Sequence, residues 1–157
     1  LKISNNLIGS TGEYLVCGEL GRRGILGLLT PKNNPLFDIV ATNELGTRSV
    51  LIQVKTMAST NKQGWKLSDK ICVKKNIDNL FVVLVKLNVL GKEVDFYIYK
   101  YDELAETVER NYIKYMSTPK RNGDPKADTS MRWHNINDFE DIDHSKLNNW
   151  GELGFTI

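Results

Sequence analysis

An α/β (α+β) fold, a central mixed β-sheet flanked by helices in a single domain, is predicted by three observations on this sequence. Apolar periodicity runs along the chain in the order helix, three strands, short helical stretch, two strands, helix. The 157 residues are 41% apolar and 25% charged, ordinary for one domain with one sizeable core. The longest apolar run, Leu80 to Val85, falls far short of the ~20 residues a membrane span needs.

Asn5 or Asn6 is placed to cap a first helix running to about Arg23, where Arg22 and Arg23 complement the helix dipole and Gly24 supplies a left-handed stop. Residues 25–30 (ILGLLT) form a strand stopped by Pro31, and the loop PKNNP leads into a second strand, Leu36 to Thr42. After a tight turn over 43–47, Ser49 to Met57 alternates Val50, Ile52 and Val54 against Leu51, Gln53 and Lys55. A polar loop (ASTNKQG) precedes a helical stretch over about 68–76, then strands over 79–87 and 94–99. Leu104, Val108, Tyr112 and Tyr115 stand at helical spacing and predict a second long helix over 101–116. Residues 117–131 form a polar loop rich in Pro, Gly and Asp, and the tail from Trp133 holds one or two helical turns before LNNWGELGF. The core spans about 5–100, with a helix and tail over 101–157.

Net charge is +2, but residues 1–75 carry +6 and residues 76–157 carry −4. Lys62, Lys66, Lys70, Lys74 and Lys75 lie within fourteen residues of the basic half, around Trp65. Trp65, Lys66, Ser68, Lys70, Lys74 and Lys75 are therefore the candidate nucleic-acid contacts. The structural alternatives are a solvated lysine face, a core Trp65 and a helix-capping Ser68. Cys17 and Cys72 form no CxxC, so no structural zinc site is expected, and reduced thiols point to the cytoplasm. The chain opens on Leu1, which leaves residues upstream open, and no secretory signal pattern follows it. Walker, GxGxxG and G-x-S-x-G patterns are absent, so neither a nucleotide cofactor nor serine hydrolysis is expected. His134 and His144 have no partners at ligand spacing and read as packing or surface residues.

A hairpin centred on Leu45-Gly46 opposes residues whose numbers add to 91, which sets Asp38 across from Gln53 on the face that also carries Lys55. Glu13 has Gly9, Val16, Cys17 and Leu20 at offsets of four, three, four and seven, so its carboxylate falls on the apolar helix face and needs a partner. A hard divalent ion, Mg²⁺ or Mn²⁺, suits Glu13 and Asp38 with the backbone carbonyl of Val54. Gln53 would then orient a water and Lys55 would assist it near a phosphate. A competing reading makes Ser10-Thr11-Gly12-Glu13 a capping box at a later helix start.

Glu13, PLFDIVA around Asp38 and LIQVKT with Gln53-Val54-Lys55 together resemble the PD-(D/E)XK, or restriction-endonuclease-like, nuclease superfamily in its QxK form. Trp65-Lys66-Leu67-Ser68, NLFVVLV and LNNWGELGF extend the resemblance to small bacterial proteins of that kind, so it covers most of the chain. The resemblance implies an αβββαβ core and a metal-dependent endonuclease acting on DNA, with Glu13, Asp38, Gln53 and Lys55 as catalytic residues. Gln53 departs from the usual acid, which lowers metal affinity and shifts reliance to Glu13. A homodimer would serve to cut both strands of a duplex. The alternatives are a DNA-binding module that has lost turnover, and a protein-interaction domain built on the acidic second half.

Overall fold

The first helix is capped one residue upstream of the two asparagines. In a computed structural model, which describes residues 2–156, Ser4 keeps an extended backbone and its Oγ accepts the Leu7 amide at 3.3 Å, opening α1 (Asn5–Gly21). Glu13 is therefore a mid-helix residue, and the capping-box reading falls. Gly24, at φ +73°, carries the chain out of the helix in the left-handed conformation expected of it.

The strands follow as β1 (Ile25–Leu29), β2 (Ile39–Asn43), β3 (Ser49–Met57), β4 (Gly64–Ser68), β5 (Leu80–Lys86) and β6 (Asp95–Lys100). Then come α2 (Tyr101–Met116), β7 (Met131–Asn135) and the one-turn α3 (Asp141–His144). The main sheet has the order β1-β2-β3-β5-β6, antiparallel throughout except for the parallel pair β3–β5. Ile39 pairs with Ile52 and Val40 with Leu51, which is the register expected from the Leu45-Gly46 turn.

The helical stretch expected over 68–76 is only a 3₁₀ turn, Asp69–Cys72. Its continuation is intercepted by Asp102 on α2, whose carboxylate accepts the Lys75 amide at 2.8 Å and the Asn76 amide at 3.0 Å. The β3-to-β5 crossover thus contains no α-helix, and α2 covers that face of the sheet with Leu104, Ala105 and Val108. On the opposite face α1 lies over β1 and β3, and its Val16 and Leu20 share one core with Ile52, Phe81 and Ile98. Trp150 and Leu153 join this second core, so the C-terminal tail is part of the domain.

An unanticipated two-stranded ribbon, β4 with β7, lies against the α2 side of the sheet. The polar loop therefore ends at Ser130, and β7 hides its inward face behind two polar residues, Arg132 and His134. His134 and Asp143 are buried, and Tyr99 Oη joins them, 3.2 Å from His134 Nε2 and donating to Asp143 Oδ1 at 2.8 Å. Among the described residues no helix is long and apolar enough to cross a membrane.

Candidate functional site

The site begins where β2 ends. The Asp38 amide donates to the Ile52 carbonyl at 2.9 Å, and the Leu51 amide to the Asn79 carbonyl at 2.8 Å. Even-numbered backbone groups of β3 therefore face β2 and odd-numbered ones face β5. Val54 is even, and beyond Ile39 the strand it would pair with is gone. The Asp38 side chain takes that place, its Oδ2 accepting the Val54 amide at 2.7 Å. This bond fixes the carboxylate at the sheet edge, and the Val54 carbonyl opens along the same edge.

Asp38 and Glu13 line one cleft of about 290 Å³, walled by the start of α1 and the Thr30-Pro31-Lys32 turn. Burial raises the Glu13 carboxyl above its ordinary value of 4.5, the neighbouring Asp38 charge raises it further, and Lys32 partly offsets both. Two carboxylates held close enough to repel form a site that gains from a cation. Gly9 also lines this cleft, and a side chain there would meet nothing within 4 Å, so the space beside Glu13 stays open. At Gly12 the helix instead lies directly on β3, against Thr56. Among the described residues no group of three or more His, Cys, Asp or Glu side chains is positioned to hold a metal. Two carboxylates and a backbone carbonyl nonetheless suit Mg²⁺, which keeps several waters and takes substrate phosphate as a ligand.

Gln53 and Lys55 project to the other face and line a second cleft of about 570 Å³, with Lys66, Ser68, Lys70, Lys75 and Tyr101 on its walls. Among the described residues none of these four lysines is in an ion pair. The four core-motif residues are thus divided between two clefts that have no lining residue in common, so the single patch expected of Asp38, Gln53 and Lys55 does not form: Asp38 turns to Glu13 and the Val54 amide, away from the face of Lys55.

No family model matches this chain, and no curated protein matches it in sequence. Among solved structures it is similar to a bacterial homing endonuclease, I-Ssp6803I, at 16% identity and a TM-score of 0.48, over 66% of this chain and 74% of that one. A likeness at that level says nothing of chemistry.

Two of the expected nucleic-acid contacts lie elsewhere. Trp65 is 2% exposed, and its Nε1 donates to the Val85 carbonyl at 3.1 Å, so it is a core residue with no face for a base. Lys74 is turned to α2, where it pairs with Glu106. Conversely, Lys32 and Tyr101 line the clefts without having been expected there. For Lys32 the available signal was a lone cation in the proline-bounded loop before Asp38. Tyr101 had none, because only the fold of α2 over the crossover brings it near.

Proposed function

We propose that this chain is a metal-dependent nuclease that hydrolyses phosphodiester bonds in DNA. The observation that carries the reading is the fixed Asp38 carboxylate, bonded to the Val54 amide and sharing a cleft with Glu13 beside the lysine-lined cleft headed by Lys55. Glu13, Asp38 and the Val54 carbonyl would hold Mg²⁺ or Mn²⁺. When bound, such an ion acidifies a water and neutralises charge on a phosphate. From the other cleft, Lys55 would extend its ammonium to the phosphate undergoing attack, and Gln53 would orient water through its amide. Lys66, Lys70 and Lys75 hold the flanking phosphates, which makes binding fall with salt. Cutting both strands of a duplex needs two such sites, and a homodimer would supply them.

The neutral Gln53 and the small number of acids favour a second reading, a DNA-binding module without turnover. Incubation of plasmid DNA and of circular single-stranded DNA with Mg²⁺ or Mn²⁺ separates the two. The nuclease reading expects strand scission that EDTA stops and that Asp38→Ala or Lys55→Ala abolishes. Retarded but uncut DNA supports the second reading, and scission surviving either substitution contradicts the assignment.

A further inference from the structure

The β4–β7 ribbon has two distinct faces. Trp65, Leu67, Arg132 and His134 are buried on the inner one, and alternation sends Lys66, Ser68, Met131 and Trp133 outward. Lys66 pairs directly with Trp133, and residues so opposed share a face with Cβ atoms about 5 Å apart. Lys66 and Ser68 also line the basic cleft, and Trp133, which is not among its lining residues, stands one strand outside it beside Lys66. Of the three tryptophans, Trp65 and Trp150 are 2% and 4% exposed, whereas Trp133 is partly open to solvent. Its Nε1 lies 3.0 Å from Met131 Sδ on the same face, which steadies the ring.

An indole fixed beside unpaired lysines offers stacking and phosphate contacts together. In a duplex the faces of each base are already taken by its neighbours, so only an unpaired base can use the ring. We infer that Trp133 is a stacking platform for an unpaired nucleotide, and that the basic cleft takes a single strand whose phosphates run along Lys55, Lys66 and Lys70. The inference deepens the nuclease reading by naming its substrate class, and it rests on nucleic acid occupying this cleft.

The test uses the full chain in EDTA at low salt, titrated with a twelve-residue oligothymidine and with a blunt hairpin duplex. Oligothymidine should quench the tryptophan emission of the wild type. Trp133→Ala should bind it about 5- to 150-fold more weakly, the range one stacked base is worth, while its duplex affinity stays within about twofold. Trp133→Phe, which preserves ribbon packing, should retain most of the affinity and lose the quenching. Equal oligothymidine affinity in wild type and Trp133→Ala overturns the inference, as does an equal loss on the duplex, and either leaves the nuclease reading intact. Failure of the wild type to bind either probe overturns both.

Discussion

Gly12 is where α1 rests on the sheet, and replacing it with alanine separates the energetics of the helix from those of the site. An added Cβ would overlap Thr56 Oγ1 and sit 3.0 Å from Thr56 Cβ and 3.1 Å from Cγ2. Rotating the threonine leaves its Cβ in place, so the helix must lift by roughly 0.5–1 Å to reach the ~3.5–4 Å of an ordinary carbon contact. Gly18, on the same helix, is the control, because a Cβ there meets nothing within 4 Å. Gly18→Ala should stabilise the fold by about 0.5–1 kcal/mol through helix propensity alone. Gly12→Ala gains the same propensity but adds overpacking of about 1–3 kcal/mol. It should therefore lie about 1–3 kcal/mol below Gly18→Ala in urea unfolding. Because Glu13 is the next residue, the lift also moves its carboxylate against Asp38, and displacements near 1 Å cost on the order of 100-fold in rate. Equal stabilisation by the two substitutions would refute the packing argument, and undiminished scission by folded Gly12→Ala would refute the link to Glu13.

Three further outcomes follow from the same geometry. The folded chain holds the Glu13 proton more tightly than the unfolded chain does, so its contribution is fullest below pH 4.5 and is lost as pH rises through the raised folded value. Without metal, Glu13→Gln should melt above the wild type at pH 7, with the gap closing below pH 4.5; a lower melting temperature at pH 7 would contradict this. Burial raises the Asp143 carboxyl, but hydrogen bonds from His134, the Glu140 amide and Tyr99 outweigh it and hold it below its ordinary 3.8. Its stabilisation is present above pH 3.8 and is lost as pH falls through the lowered value, so Asp143→Asn should cost about 1.5–3 kcal/mol at pH 7 and flatten the acid limb of the stability curve. Trp65→Ala should cost about 3–5 kcal/mol in chemical unfolding, and a variant that remains as stable as wild type yet loses DNA affinity would return Trp65 to the binding surface.

Much of the sheet was legible because β1, β2, β3, β5 and β6 carry strong local signals, apolar alternation or dense apolar runs bounded by turn residues. The β2–β3 register could be read from one short hairpin, and Gly46 takes its left-handed turn at φ +66° without shifting it, but the pairing ends at Ile39–Ile52, and Asp38 turns its carboxylate to the Val54 amide instead of standing opposite Gln53. The β4–β7 ribbon was illegible because its strands are 63 residues apart from Ser68 to Met131 and place Arg132 and His134 inward. The expected crossover helix failed for a related reason, since Asp102, remote in sequence, captures the amides at Lys75 and Asn76. Lysine clustering identified the basic cleft, but spacing alone did not distinguish Lys74, bound to Glu106, from Lys75, which faces the cleft.

Paramagnetic resonance of Mn²⁺ titrated into the wild type, Glu13→Gln, Asp38→Asn and Lys55→Ala tests whether the two acids make the metal site. One ion per chain is expected in the wild type and in Lys55→Ala, with weakened or lost binding in both acid variants. Binding that ignores the loss of either acid would contradict the account.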